Sequence, residues 1–209
     1  MIPKLFLDIE STPGPTRPLP EDIKAPGTMS KPETIRAYQE ANVENEYQKQ
    51  SLNSMKGEIF CVGLCLEGGE AQIIRGANER ETMELLAGAF DKIAGAWHEP
   101  LHLVGWNIIT FDMPWIWRKA IKYGLTGIRN AIPRGNPHLT TDLMKVWAAD
   151  FKDYVSLASC ADFLGVQHGG GNGSEIYQLW LMGDYEAIDN HCLRDIKTTM
   201  AIYEKMMTS

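Results

Sequence analysis

The sequence predicts an α/β fold, in which a mixed β-sheet is flanked by helices. Strand-like segments recur along the chain, helical patterns separate the later ones, and most of the last third is helical in pattern. A length of 209 residues is typical of one domain. Because 44% of the residues are hydrophobic and 22% are charged, a disordered, collagen-like or coiled-coil chain is excluded.

The first strand is predicted at Lys4–Glu10, where apolar and polar residues alternate and Asp8 and Glu10 share one face. The next segment, 11–56, holds six of the eleven prolines and a polar helical run over 32–53. We interpret it as a partly helical surface insertion between the first two strands of a single domain.

The sheet is predicted to resume with the near-continuous apolar run at 59–66, which is typical of a strand covered on both faces. The Gly68-Gly69 pair predicts a hairpin turn into an antiparallel strand at 71–75. Two further strands are predicted at 101–106 and 139–142.

The helices are predicted from apolar spacings of three and four residues and from capping residues. Asn78 and Glu81 form a capping box for a helix that reaches Trp97. A second helix is predicted from Phe111 to Tyr123, and the remaining helices at 143–151, 156–164, 175–182 and 185–207.

The net charge of −7 limits how this chain could bind nucleic acid. Proteins that do so through bulk electrostatics are usually basic, so a local basic surface or bound cations would be required. The segment 115–145 has a net charge of +5, from Arg118, Lys119, Lys122, Arg129, Arg134 and Lys145 against one acidic residue. It is either a surface that follows a nucleic-acid backbone or an ordinary amphipathic helix with a loop.

Several classes of protein are disfavoured. No apolar run approaches the roughly 18 residues that span a bilayer, and the first ten residues lack a signal-peptide pattern, so we expect a cytoplasmic protein without membrane contact. The four cysteines show neither a CxxC pair nor zinc-ligand spacing, and we expect buried free thiols.

Three clusters of titratable residues could carry chemistry. Asp8 and Glu10 lie on the first strand, Asp112 opens a helix after a strand, and His191 and Asp195 share a face of the last helix. Each cluster alone has a simpler interpretation: a solvated strand end, a helix N-terminus, or a helix-surface pair.

Together, the three clusters resemble the motifs of the DEDD superfamily of 3′–5′ exonucleases. The likeness is greatest to the proofreading exonuclease domain of B-family DNA polymerases and its stand-alone bacterial and phage relatives. The family motifs read FDIET, YNxxxFD and YCxxDA, and the matching segments here, at 7–11, 106–112 and 191–196, read LDIES, WNIITFD and HCLRDI. The resemblance covers the chain apart from 11–56.

This resemblance implies an RNase H-like fold and a 3′–5′ exonuclease that releases nucleoside 5′-monophosphates from 3′ ends, with single-stranded DNA as the expected substrate. It also implies two Mg²⁺ or Mn²⁺ ions, since hard cations prefer carboxylate oxygens. The implied metal ligands are Asp8 bridging both ions, Glu10 and Asp195 at the tighter site, and Asp112 through water. The implied substrate-binding residues are Ile9, Ser11, Asn107 and Phe111.

His191 departs from the motif. The polymerase-like branch has Tyr at this position, whereas the other large branch places His five residues before its Asp, where this chain has Asn190. We expect His191 to be the general base, because histidine changes charge between about pH 5 and 8. Positioning of the attacking water is the alternative role.

Two other functions stay open: an RNase of the same superfamily, and a non-catalytic RNase H-like module that binds nucleic acid or a protein. The glycine-rich segment 168–173 matches neither a lipase oxyanion loop nor a P-loop, since GxSxG and GxxxxGK[ST] are absent. We expect it to be a mobile loop near the substrate entrance.

Overall fold

The computed structural model describes residues 3–97, 101–133, 137–149, 152–170 and 173–207. Its strands are β1 (Lys4–Thr12), β2 (Glu58–Leu66), β3 (Gln72–Ile74), β4 (His102–Gly105) and β5 (Thr140–Asp142). Its helices are α1 (Pro32–Gln48), α2 (Glu79–Trp97), α3 (Asp112–Tyr123), α4 (Thr126–Ala131), α5 (Leu143–Ala148), α6 (Leu157–Leu164), α7 (Ser174–Met182) and α8 (Tyr185–Met207). Short 3₁₀ turns lie at Pro20–Asp22, Lys49–Leu52 and Pro137–Leu139.

The five strands form one mixed sheet in the order β3-β2-β1-β4-β5. β4 pairs in parallel with both β1 and β5, whereas β2 and β3 are antiparallel. The predicted α/β class with a mixed sheet flanked by helices is therefore confirmed. Because β1, β4 and β5 run in the same direction, their carboxyl ends meet at one edge of the sheet, where ligands bind in many α/β proteins.

Apolar residues cover both faces of this sheet. Leu5 and Leu7 of β1 pack into a core with residues of α2 and α3. Phe6, which points to the other face, packs into a second core with residues of α6 and α8. Since side chains alternate along a strand, Asp8 lies on the face of Phe6 and is directed towards α8.

Most predicted elements are present within a few residues of their expected bounds, but three differ. The chain after Tyr123 was not predicted to be helical, yet it forms α4, which is too short to show a periodic pattern. The helix predicted at 143–151 ends at Ala148, because Ala149 adopts a left-handed conformation with φ 45°. The polar helix predicted at 32–53 ends at Gln48 and continues as a 3₁₀ turn.

The chain divides into two compact units, one formed by 1–10 and 59–209 and the other by 11–58. Within the second unit, the Tyr47 hydroxyl donates a hydrogen bond to the Gly14 carbonyl at 3.0 Å. Gln39 Nε2 donates to the Ile23 carbonyl at 2.9 Å, so the proline-rich stretch is held on α1. The interpretation of 11–56 as an insertion within a single domain stays a proposal.

All four cysteines are free and buried, as predicted. In the part of the chain that the structure describes, no helix combines the length and apolar character needed to cross a bilayer.

Candidate active site

The turn after β4 brings the start of α3 against β1. A Cβ at Gly105 would lie 2.8 Å from the Leu7 carbonyl oxygen, so only glycine allows this close approach. Asn107 then turns the chain with φ 60°. The Ile9 backbone N–H donates to Asp112 Oδ1 at 3.0 Å, which fixes the Asp112 carboxylate beside β1.

Asp142, for which the sequence motifs predict no role, holds this turn in place. Its buried carboxylate accepts hydrogen bonds from the backbone N–H groups of Asn107 at 3.0 Å and Ile109 at 3.2 Å. Asp142 pairs with Gly105 in the register of β4 and β5. The signal that could have identified it is an acidic residue at the end of a predicted parallel strand, at the same edge as Asp8.

Helix α8 reaches the same edge because β2 has a glycine beneath it. A Cβ at Gly63 would lie 2.8 Å from both Cys192 Sγ and the Ile196 Cγ1 atom. The close approach lets Cys192 Sγ donate a hydrogen bond to Asp8 Oδ2 at 3.4 Å. Ligand atoms of Asp8, Glu10 and Cys192 all lie within 4.8 Å of one another.

His191 lies between β1 and the next turn of α8. Its side chain is buried, and Nε2 is 3.8 Å from Glu10 Oε1 and 3.6 Å from Asp195 Oδ2. The spacing of four residues therefore places the imidazole beside two of the predicted metal ligands. Asp195 keeps 33% of its side chain exposed, so the cluster opens to solvent on this side.

The four carboxylates repel one another in a buried setting. Burial raises the pKa of Asp8 well above its ordinary value, and the charges of Asp112 and Asp195 raise it further. Burial, followed by the nearby Asp8 charge, likewise raises the pKa of Glu10 well above its usual range. The pKa of Asp195 is raised by burial, although electrostatic interactions with His191 and Arg194 oppose this rise.

The pKa of Asp112 is raised in the same way. Burial raises its pKa to about 7, hydrogen bonds to its carboxylate oppose the rise, and the Asp142 charge adds to it. A bound cation would offset the charge of these carboxylates and favour their ionised forms.

The donor atoms of the cluster suit hard divalent cations. Mg²⁺ and Mn²⁺ prefer oxygen ligands, and Asp8, Glu10, Asp112 and Asp195 supply them. The Cys192 thiol is a poor ligand for such ions, since its hydrogen bond with Cys61 and its burial raise its pKa well above the ordinary value. The residues present thus fit the expected magnesium or manganese ions.

The four residues expected to bind substrate lie in different settings. Asn107 and Phe111 are half-buried in the turn that precedes Asp112. The Ile9 side chain is buried in the core, so Ile9 contacts the site through its backbone N–H. Ser11 belongs to the 11–58 unit, where its hydroxyl donates to the Ser51 carbonyl at 2.6 Å.

The basic segment at 115–145 is not a continuous basic surface. Lys119 is buried, and its Nζ lies 2.8 Å from Glu79 Oε1, while Lys122 Nζ lies 2.8 Å from Glu79 Oε2. The interpretation of Lys119 as a residue that follows a nucleic-acid backbone is therefore wrong. This ion pair could not be predicted from the sequence, because Glu79 lies on α2, far away in the chain. Arg134 lies outside the described residues.

A family model described as the RNase H superfamily matches residues 48–207 of this chain. Among solved structures, the family B DNA polymerase from the hyperthermophilic archaeon Pyrobaculum calidifontis is similar, with a TM-score of 0.64 and 14% sequence identity. The match covers 99% of this chain and 25% of the polymerase chain, so this chain spans about a quarter of its length. Among curated proteins none matches. The expected RNase H-like fold is confirmed.

Proposed function

We propose that this chain, which belongs to the RNase H superfamily, is a metal-dependent 3′–5′ exonuclease. It hydrolyses phosphodiester bonds at the 3′ ends of single-stranded DNA and releases nucleoside 5′-monophosphates. The observation that supports the proposal is that Asp8 and Glu10 of β1 lie together beside α8, with Asp112 of α3 bound to the Ile9 N–H and His191 next to both Glu10 and Asp195. Superfamily membership supports a nuclease, while polarity and substrate come from the sequence motifs.

The carboxylates would hold two Mg²⁺ or Mn²⁺ ions, with Asp8 shared between them. Glu10 and Asp195 would complete one site, and Asp112 would hold the second ion through water. Such a pair of ions activates water and stabilises the charge of an in-line displacement. The hydrogen bond from the Ile9 N–H fixes the Asp112 carboxylate in position and lowers its pKa, whereas the charge of Asp142 raises that pKa. A nearby cation would offset the repulsion between the two carboxylates.

His191 would accept or orient the proton of the attacking water. Nε2 lies within 4 Å of one carboxylate oxygen of Glu10 and one of Asp195, so a water beside these ligands is within reach of the imidazole.

The substrate contacts are proposed at Ile9, Ser11, Asn107 and Phe111. The half-buried Phe111 ring, whose centroid lies 5.6 Å from that of Trp115, offers an aromatic face near Asp112 for a terminal base.

A non-catalytic binding module explains this site less well. Burial and neighbouring carboxylate charges raise the pKa of Asp8 and of Glu10, which destabilises the fold when no cation is present, and a binding module gains nothing from them.

The proposal is tested with 5′-labelled single-stranded DNA and RNA oligonucleotides of the same sequence, incubated with Mg²⁺, Mn²⁺ or EDTA. A denaturing gel should show a metal-dependent ladder that shortens the DNA from its 3′ end. Asp153→Asn, which alters an exposed carboxylate outside the site, serves as the matched control. Shortening of RNA alone would convert the proposal to an RNase, and two intact oligonucleotides would refute a nuclease.

A further inference from the structure

Arg194 lies over a glycine beside the candidate active site. A Cβ at Gly169 would lie 2.2 Å from Arg194 Cδ and 2.3 Å from its Nε, so the side chain occupies the space that any other residue at 169 would fill. Arg194 immediately precedes Asp195 on α8, and it is exposed. The glycine therefore allows the guanidinium group to lie along this loop next to a proposed metal ligand.

His168 holds the loop on which Arg194 lies. Its Nε2 is 2.9 Å from Asp162 Oδ1 on α6, and the Gly170 N–H donates to its Nδ1 at 3.2 Å. Because Nδ1 accepts a hydrogen bond, Nε2 carries the proton and donates to Asp162. Both ring nitrogens are thus used, and His168 positions the loop rather than offering a free donor.

A small cavity separates this loop from Asp195. It has a volume of about 150 Å³, and its lining includes His168, Gly170, Asp195 and Thr198. That volume is well below the roughly 300–1,000 Å³ of sites that hold a whole small-molecule ligand. The cavity suits a single compact group. Arg194 lies over Gly169, the residue between His168 and Gly170 of the cavity lining.

Arg194 is an exposed cation beside Asp195. Among the described residues, no carboxylate lies within ion-pair distance of its guanidinium nitrogens. The positive charge of Arg194 nevertheless opposes the rise in the pKa of Asp195, so the guanidinium group lies near the carboxylate cluster. A chain with a negative net charge thus places the cationic Arg194 side chain at the open side of its acidic site.

We propose that Arg194 and the cavity beside Asp195 bind a backbone phosphate of the nucleic-acid strand, an inference that rests on the proposed nuclease function. A phosphate is compact and anionic, and guanidinium groups bind it through paired, charge-assisted hydrogen bonds. The contact holds the strand in position next to the carboxylates, so Arg194 is a substrate-positioning residue for this site.

The test measures binding of a fluorescein-labelled single-stranded DNA oligonucleotide by anisotropy, in Mg²⁺ and over a range of KCl concentrations. The parent protein carries Asp8→Asn so that the strand is not degraded. Adding Arg194→Ala should weaken binding about tenfold at low salt, since a charge-assisted hydrogen bond contributes at least that factor. The slope of log Kd against log salt should fall by about 0.7, the value for one phosphate contact on a single strand.

Three further variants separate this contact from a loss of folding. Arg80→Ala removes an exposed arginine of α2 that pairs with Glu84, and it should change neither Kd nor slope. Arg194→Lys should keep the slope. Gly169→Ala should displace the Arg194 side chain and reproduce part of the loss, with no additional effect when Arg194 is already Ala.

The outcomes distinguish the two proposals. Equal Kd and slope for the parent and Arg194→Ala would overturn the phosphate site while leaving the nuclease proposal intact. A parent protein that binds neither this DNA nor the matching RNA would overturn both.

Discussion

Replacement of Asp112 by Asn should stabilise the metal-free protein at pH 8. The folded protein holds the Asp112 proton up to about pH 7, whereas an unfolded aspartate loses it near its ordinary value of 3.8. The contribution of Asp112 to stability is therefore fully present below about pH 4 and is lost as the pH rises through about 7. Asn is neutral at every pH, and its Oδ1 can still accept the hydrogen bond from Ile9.

The size of the effect follows from the pKa difference. A shift from 3.8 to about 7 is roughly three units, and each unit is worth about 1.4 kcal/mol, so the upper limit is on the order of 4 kcal/mol. We expect Asp112→Asn to equal the wild type near pH 4 in EDTA, to exceed it progressively up to about pH 7, and to keep that difference at pH 8. Saturating Mg²⁺ or Mn²⁺ should reduce the difference, because bound cations stabilise the wild-type cluster, with its four carboxylates, more than the variant cluster with three.

The assay is urea unfolding followed by tryptophan fluorescence, at pH values from 4 to 8, in EDTA and in Mg²⁺. The readout is the difference in free energy of unfolding between variant and wild type, which removes the contribution of other titrating groups. Asp153→Asn, an exposed carboxylate, should give no pH-dependent difference. A difference for Asp112→Asn that is the same at pH 4 and pH 8, or that metal does not reduce, would refute the reasoning.

Three other predictions concern separate parts of the account. Asp8→Ala and Asp195→Ala should each lower turnover by several orders of magnitude while circular dichroism stays unchanged, and near-full activity in either would contradict the metal assignment. If His191 is the base, log kcat should fall towards acidic pH, because a protonated imidazole cannot accept a proton, and His191→Tyr should alter that limb; an unaltered profile would exclude His191 as the base. Glu79→Gln should destabilise the fold by about 3–5 kcal/mol in urea unfolding, since it leaves the buried Lys119 charge without its partner, and a loss below about 1 kcal/mol would contradict a buried ion pair.

Local sequence patterns predicted most of the fold because they report burial directly. The alternation in β1 separated Leu5 and Leu7 from Asp8, and the structure places these residues on opposite faces of the sheet. The four clustered carboxylates were likewise identifiable, because their spacing within each element resembles a known set of motifs.

Features that depend on contacts distant in sequence were not predictable in this way. Asp142 stabilises the turn that leads to Asp112, but nothing beside it in the sequence shows which backbone N–H groups it accepts. In the sequence alone Lys119 resembles an exposed basic residue, but in the folded chain it contacts Glu79 of α2. The role of Gly63 depends on which helix crosses β2, and only the tertiary structure shows that α8 does so.

The most direct test of the central claim is the release of nucleoside 5′-monophosphate from a single-stranded DNA oligonucleotide. It is measured by chromatography against Mn²⁺ concentration, for the wild type and for Asp8→Asn side by side. The account predicts release by the wild type that requires the metal and is abolished by EDTA, with a loss of several orders of magnitude in Asp8→Asn. Release that continues in EDTA, or at equal rates in both proteins, would contradict it.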